Sequence, residues 1–178
     1  MNYAKIDECS VADGEGCRVV LYCSGCQIGC LGCQNPDACD FNYGKPFDQD
    51  AERKLIKALD KPYIKGLTLS GGHPLEEKNI STVNHIVETV RMFFPCQTIW
   101  LYTGFTWEEI LAQDKKYENF EVNAVSALDV VKSCDVLVDG RFEEELRDIT
   151  LPFRGSSNQR IIDIQQTLKK GEIVLWQK

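Results

Sequence analysis

Residues 19–33 read VVLYCSGCQIGCLGC, an apolar run that leads directly into a cysteine-rich loop. The β-branched and aromatic residues of the run predict a strand over residues 18–23. Cys26, Cys30 and Cys33 then lie four and three residues apart on one tight loop. Three thiolates at this spacing can ligate three irons of a cubane [4Fe-4S] cluster and leave the fourth iron without a protein ligand. An open metal position of this kind is where chemistry takes place.

Composition indicates one soluble domain over residues 1–178. The 178 residues are 43% hydrophobic and 26% charged, and no apolar run approaches the roughly 20 residues of a membrane span. The net charge of −7 and the lack of a Lys/Arg cluster argue against nucleic acid as a partner. We expect neither a nucleic-acid nor a membrane partner.

The polar residues 1–7 do not resemble a signal peptide, so we expect a cytoplasmic location. In a reducing compartment, nine cysteines favour metal or cluster binding over disulfides. Five cysteines outside the loop share no metal-site spacing and are interpreted as ordinary thiols: Cys9, Cys17, Cys39, Cys96 and Cys134.

Alternating strand and helix patterns predict an α/β fold. Strands are predicted at residues 18–23, 66–70, 98–103, 135–139 and 172–176, with a sixth at 160–164. Helices are predicted at residues 50–59 and 81–94, after Thr106 and after Ser126, where Glu109 and Asp129 complete capping boxes. Because there are too few units for an eight-stranded barrel, we expect a partial, open β/α barrel of five to six mostly parallel strands. The site is expected at the carboxyl ends of the strands.

Two other interpretations of the cysteine loop use Cys23 as a fourth ligand. Structural zinc is disfavoured because zinc-binding cysteine pairs are usually separated by about 15 residues or more. A ferredoxin-like cluster closed by four cysteines remains open, although the loop lacks the ferredoxin spacing and the trailing Cys-Pro.

Residues 66–75 read GLTLSGGHPL, a second predicted strand that ends in two glycines. Glycines at a strand end let the backbone approach a ligand closely. A Gly-Gly pair is also common in ordinary strand-to-helix turns, so its value depends on the cysteine loop. Together, the loop and the glycines suggest a small chelating ligand bound between them.

These motifs resemble the radical S-adenosylmethionine superfamily, in which a Cys-x3-Cys-x2-Cys loop is followed by a strand ending in a Gly-Gly-acid motif. Further blocks are similar to the family that activates anaerobic ribonucleoside-triphosphate reductases among the glycyl-radical activating enzymes. They are MNY at residues 1–3, IWLYTGF at 99–105, VLVDGRF at 136–142 and RGSSNQ at 154–159.

The resemblance implies an oxidoreductase with a [4Fe-4S] cluster held by Cys26, Cys30 and Cys33. S-adenosyl-L-methionine would chelate the fourth iron and be cleaved reductively to methionine and a 5′-deoxyadenosyl radical. That radical would take hydrogen from a glycine Cα of the partner reductase. The resemblance also suggests reduced flavodoxin or a similar protein as the electron donor.

Among the ligand contacts that the resemblance implies, the backbone of Gly32, Cys33 and Gln34 would line the adenosyl side. Gly71, Gly72 and His73 would lie at the methionine end. Thr103 and Asp139 each end a predicted strand and are further candidates, although Thr-Gly and Asp-Gly are also ordinary turn dipeptides.

The sequence departs from the family pattern at two places. Position 73 is His rather than an acid, so it either accepts a hydrogen bond from the ligand or points to solvent at a turn. Gly32 and Gln34 stand where an aromatic residue often flanks the adenine, so either the ligand affinity is weaker there or another side chain such as Tyr102 supplies the packing.

The predicted function is therefore activation of an anaerobic ribonucleoside-triphosphate reductase. Two alternatives remain open. The first is the activation of another glycyl-radical enzyme, or a radical reaction on a small molecule. The second is a non-catalytic electron-transfer protein with a cluster closed by four cysteines.

Overall fold

The computed structural model describes residues 1–117 and 125–177, and a seven-stranded sheet forms its centre. The strands lie in the order β3-β1-β2-β4-β5-β6-β7. Their bounds are β1 Asn2–Ser10, β2 Cys17–Cys23, β3 Lys45–Pro46, β4 Ile64–Gly71, β5 Thr98–Tyr102, β6 Val136–Asp139 and β7 Arg160–Asp163.

The middle of the sheet is parallel and its flanks are antiparallel. Strands β2, β4, β5 and β6 pair in parallel, whereas β1, β3 and β7 pair antiparallel with their neighbours. The α/β prediction and the parallel core of the sheet are confirmed, but the strand count is seven rather than five to six, and the flanking strands are antiparallel. A barrel is not confirmed, since the strand order runs from β3 at one edge to β7 at the other.

The elements that the sequence pattern missed have weak apolar signals. In β1 only Ile6 is buried, so the strand lacks the apolar run of a central strand.

The strand predicted at residues 172–176 is wrong, because this segment forms only the isolated bridge between Ile162 and Leu175. Instead, the short helix Ile164–Lys170 follows β7.

Five α-helices accompany the strands in the described residues. They are α1 Gln49–Leu59, α2 Glu77–Phe93, α3 Trp107–Tyr117, α4 Ala127–Lys132 and α5 Ile164–Lys170. The four predicted helices are confirmed, and the predicted apolar stripe of α2 is buried at Val83, Ile86, Val87 and Val90. Within residues 1–117 and 125–177, no helix combines the length and apolar character needed to cross a membrane.

Cys9 and Cys17 form a disulfide that links β1 to the start of β2, with their Cα atoms 5.3 Å apart. The interpretation of these two residues as free thiols is therefore wrong. The pair was missed because β1 was not predicted, and only the β1–β2 hairpin brings the two cysteines together.

The two faces of the sheet are covered differently. The main core includes the buried residues of the helices and one face of the central strands. On the second face, Trp100, Val136, Val138 and Ile161 pack with Tyr102, Phe153 and Trp176. The apolar runs of the central strands are explained by this double coverage.

Arg18 joins three parallel strands at their amino ends. Its side chain is 0% exposed, and its guanidinium donates to the Thr68 hydroxyl and to the Thr98 hydroxyl, each at 2.8 Å. It also donates to the carbonyls of Leu67 at 2.6 Å and Thr98 at 2.7 Å. Burial lowers the pKa of Arg18 to about 10, so the group is charged at neutral pH and is held by neutral acceptors.

The Arg18→Met variant is expected to lower the free energy of unfolding by about 3 kcal/mol, because it leaves several buried acceptors without their donor. Urea unfolding measures the difference. Arg53→Met is the matched control, since Arg53 is exposed and pairs with the exposed Asp50 on the same helix. Equal stabilities of the two variants would contradict the role of Arg18 as a clamp.

Candidate functional site

A cavity of about 900 Å³ opens at the carboxyl ends of the parallel strands. Tyr22 of β2, Ser70 of β4 and Tyr102 of β5 all line it. The cavity therefore lies at the end of the sheet opposite Arg18, where the sequence predicted a site.

Cys26, Cys30 and Cys33 line this cavity as free, partly exposed thiols. Burial raises the pKa of Cys26. Within the described residues, no three His, Cys, Asp or Glu side chains gather tightly enough to hold a single metal ion. A cluster makes a different demand, because each of its irons takes a separate cysteine. Three thiols on one cavity wall therefore fit a cluster better than a mononuclear metal.

The cysteine loop is tied to the end of β4 by backbone hydrogen bonds. The Gly72 N–H donates to the Cys23 carbonyl at 2.7 Å, and the His73 N–H donates to the Gly25 carbonyl at 2.8 Å. A Cβ at Gly72 would lie 2.6 Å from the Ala38 carbonyl oxygen and 2.7 Å from that of Gly25. Glycine is therefore required at position 72 by the close approach of three backbone segments.

Gly25 has the same requirement for a second reason. Its φ is +96°, and a Cβ there would overlap the ring of Phe41. The contact between Gly25 and Gly72, called the glycine seam below, sets the position of the cysteine loop relative to β4.

Asn79 of α2 supports the glycine seam from beneath. Its side chain is 1% exposed, and its Nδ2 donates to the carbonyls of Ser24 and His73, each at 3.0 Å. A third, longer contact reaches the Gly25 carbonyl at 3.5 Å. No sequence motif singled out Asn79, since an asparagine in the first turn of a helix is commonplace.

His73 lines the cavity but is only 1% exposed, so the solvent-pointing interpretation is wrong. Its Nε2 lies 2.7 Å from the Thr103 hydroxyl, and its Nδ1 lies 3.4 Å from Glu76 Oε1. The hydrogen bond with His73 lowers the pKa of Glu76, with a further contribution from the Gln27 N–H. The ring also packs edge-on against Phe105, at 4.6 Å between centroids.

Of the other predicted ligand contacts, five line the cavity and Asp139 does not. Gly32, Gln34, Gly71, Gly72 and Thr103 all line the cavity.

Asp139 is not among the described residues that line the cavity, although the adjacent Gly140 is. The Asp139 carboxylate accepts hydrogen bonds from the Trp107 N–H at 2.8 Å and from Arg160 Nε at 3.0 Å. These contacts give Asp139 a structural role at the amino end of α3.

A second segment closes over the cysteine loop. The Glu144 carboxylate lies against Gly32, and the Gln34 side-chain amide lies against Gly155. Arg154 also lines the cavity, where it donates to the Gln159 carbonyl at 2.7 Å. Its buried Nε has no hydrogen-bond partner among the described residues.

Cys39 is the functional candidate that the sequence interpretation missed. Its free thiol lines the cavity. Burial raises the pKa of Cys39 to about 11, with further contributions from repulsion by Cys33 and Cys26 and from hydrogen bonds with these thiols. Cys23, which had been considered as a fourth ligand, is instead fully buried, and this burial raises its pKa to about 12.

Comparison with known proteins identifies the family. A family model described as a 4Fe-4S single cluster domain matches residues 12–162. Curated proteins named anaerobic ribonucleoside-triphosphate reductase-activating protein align over most of the chain. The chain belongs to this activating-protein family.

Three relatives illustrate the coverage within the activating-protein family. The protein of Enterobacteria phage T4 is 37% identical over 161 residues, which is 90% of this chain and 93% of that protein. The protein of Pasteurella multocida is 34% identical over 168 residues, with 93% and 99% covered. The protein of Haemophilus influenzae is 37% identical over 163 residues, with 90% and 97% covered.

The Asn79→Ala variant is expected to cost about 2 kcal/mol of folding free energy, because the Ser24 and His73 carbonyls lose a buried donor. We also expect less iron and sulfide bound after reconstitution, since Asn79 supports the glycine seam. Urea unfolding and iron analysis give the two readouts. Asn84→Ala on the same helix is the control, as its side chain bonds to the exposed Glu88 of the same helix. Unchanged iron content together with unchanged stability would contradict this role.

Proposed function

We propose that this chain activates an anaerobic ribonucleoside-triphosphate reductase by generating a glycyl radical on it. The observation that carries the proposal is the meeting of Cys26, Cys30 and Cys33 with the Gly71–Gly72 strand end in one cavity. The names of the relatives, at 34–37% identity, support the choice of target.

The three thiols are proposed to ligate three irons of a [4Fe-4S] cluster. The fourth iron then stays free for the amino and carboxylate groups of S-adenosylmethionine. When the cluster and S-adenosylmethionine are bound, they would supply reductive cleavage of S-adenosylmethionine to methionine and a 5′-deoxyadenosyl radical, which would take hydrogen from the target glycine. The electron is proposed to come from reduced flavodoxin or a similar protein.

The residues of the chain bind and orient the ligand in this proposal. The backbone of Gly71 and Gly72 is proposed to meet the methionine end. The guanidinium of Arg154, which lines the cavity, is proposed to attract the carboxylate of the ligand. His73 and Thr103 form a hydrogen-bonded pair in the cavity wall, and Tyr102 offers an aromatic face beside it. Gly32 and Gln34 are proposed to line the adenosyl side.

The cavity mouth suits a protein substrate. Ile149 lines the cavity and its side chain is 85% exposed, while Leu31, within the cysteine loop, is 81% exposed. Large apolar side chains left in solvent at the rim of a site are typical of a surface that a protein partner covers. The reductase segment that carries the target glycine is the proposed partner at this mouth.

A second candidate function is electron transfer by a closed cluster. Cys39 favours it, because this thiol brings the number of free cysteines in the cavity to four. Four cysteine ligands would leave no iron free for S-adenosylmethionine.

One anaerobic assay separates the two functions. The protein is reconstituted with iron and sulfide, reduced with dithionite and supplied with S-adenosylmethionine, and 5′-deoxyadenosine is measured by chromatography. Its formation supports radical chemistry, and a glycyl signal in electron paramagnetic resonance after addition of the reductase supports the target. A glycyl signal only on a different enzyme would change the target. A reducible cluster that leaves the sulfonium intact would favour electron transfer.

The variants Cys26→Ala, Cys30→Ala and Cys33→Ala are each expected to abolish 5′-deoxyadenosine formation, because each removes one of the three iron ligands. Cys23→Ala is the matched control and should keep most of the activity, since Cys23 lies in the core and outside the cavity lining. Loss of iron in Cys23→Ala, at unchanged folding, would refute the three-ligand assignment.

His73→Ala is expected to weaken S-adenosylmethionine binding about tenfold, a loss equivalent to about 1.4 kcal/mol. The physical reason is that Thr103 and the cavity wall lose a buried hydrogen-bonding partner. Cleavage at saturating ligand should persist. Equilibrium binding and turnover are measured beside His85→Ala, whose exposed ring contacts Glu52 away from the cavity. Abolished cleavage at saturation in a folded, cluster-bearing His73→Ala protein would show a direct role in the reaction.

A further inference from the structure

Cys39 places a fourth free thiol in the cavity of the three-cysteine loop. Cys39 lines this cavity together with Cys26, Cys30 and Cys33, and all four are free cysteines. The spacing from Cys33 to Cys39 is six residues, which matches no part of the Cys-x3-Cys-x2-Cys motif.

Backbone contacts hold Cys39 next to the loop. It ends a short 3-10 turn, Asp37–Cys39. The Cys26 N–H donates to the Cys39 carbonyl at 3.1 Å, and the Gly25 N–H donates to the Ala38 carbonyl at 2.8 Å. The buried Ala38 fixes the turn further. The thiol is therefore part of a built arrangement rather than of a loose surface segment.

The remaining cysteines of the described residues are placed elsewhere. Cys23 and Cys134 are completely buried, and Cys96 is exposed after α2. Cys9 and Cys17 are joined to each other. Cys39 is therefore the fourth free thiol of the cavity lining.

We propose that Cys39 ligates the fourth iron of the cluster while S-adenosylmethionine is absent, and that S-adenosylmethionine displaces it. The inference rests on the proposed function and extends it, because it assigns a resting state to the same cluster. It also explains how a cavity with four thiols can still offer one iron to S-adenosylmethionine.

The step is a ligand exchange without electron transfer. In the resting state the Cys39 thiol gives its proton to solvent and its sulfur bonds to the fourth iron. When S-adenosylmethionine arrives, the bond between iron and the Cys39 sulfur breaks, and the thiolate takes up the proton that the ammonium group of the ligand loses as its nitrogen binds iron. The amino and carboxylate donors of the ligand then complete the coordination. The oxidation states of iron and sulfur do not change.

The exchange gives Cys39 a protective role. An iron without a protein ligand is the one that a cubane cluster loses first to oxidants. The Cys39 thiolate on the fourth iron retards the loss of that iron until S-adenosylmethionine binds in its place.

Alkylation of the anaerobic holoprotein tests the exchange directly. The protein is treated with iodoacetamide with and without S-adenosylmethionine, and each cysteine is quantified by mass spectrometry. We expect Cys39 to be protected in the resting protein and to react several-fold faster once the ligand is present. Cys96 is the internal control, since it is exposed and should react equally in both samples. A Cys39 rate that S-adenosylmethionine leaves unchanged or lowers would overturn the proposal.

A second measurement does not depend on thiol access. Without S-adenosylmethionine, ferricyanide is expected to convert the cluster of Cys39→Ala to the [3Fe-4S] form about tenfold faster than that of the wild type, as for the loss of one metal-supporting group. Electron paramagnetic resonance follows the conversion. Cys96→Ala should behave as the wild type, and saturating S-adenosylmethionine should abolish the difference. Equal rates in Cys39→Ala and the wild type without ligand would contradict the assignment.

The outcome for Cys39 is separable from that of the proposed function. Formation of 5′-deoxyadenosine by the wild type decides the radical chemistry by itself, whatever the alkylation shows. If Cys39 stays protected with the ligand present and no 5′-deoxyadenosine forms, the exchange is refuted and the cluster is permanently closed by four cysteines.

Discussion

The glycine seam, where Gly25 and Gly72 bring their backbones together, is the contact on which the candidate site depends. It joins the cysteine loop to the end of β4, and the carbonyl of Ala38 closes against it from the neighbouring 3-10 turn. No side chain larger than hydrogen fits there. Because the seam consists of backbone hydrogen bonds and is supported by the buried Asn79, the thiols are positioned by main-chain geometry rather than by side-chain packing.

Stability and function are separated along the length of the strands. At the amino ends, Arg18 satisfies acceptors on β4 and β5 and holds these strands to β2. At the carboxyl ends, the strands diverge into the cysteine loop, the Gly71–Gly72 turn and Thr103, which all line the cavity. Since parallel strands end at the same edge of a sheet, the chemistry-bearing loops meet there, and the glycine seam fixes the cysteine loop against the end of β4.

The cysteines show why spacing in sequence and position in space have to be considered separately. Cys23 lies three residues before Cys26, yet the alternation of β2 directs its side chain into the core. Cys39 lies six residues after Cys33, and the 3-10 turn returns it to the loop. Cys9 and Cys17 meet through a hairpin whose first strand has a single buried residue, Ile6. The spacing of cysteines along the chain does not show which way each side chain points or which segments bring two cysteines together.

The amino-acid sequence by itself determined the α/β class, the central strands, four of the helices and the loop of Cys26, Cys30 and Cys33, because each depends on local periodicity, capping or motif spacing. Only the tertiary structure decided the flanking strands β1 and β3 and the antiparallel direction of β7. It also decided the inward turn of His73 toward Thr103 and Glu76, the structural engagement of Asp139 by Arg160 and the place of Cys39 in the cavity. Those features arise from contacts between residues far apart in the chain, whose energies depend on burial and backbone approach and leave no local signal.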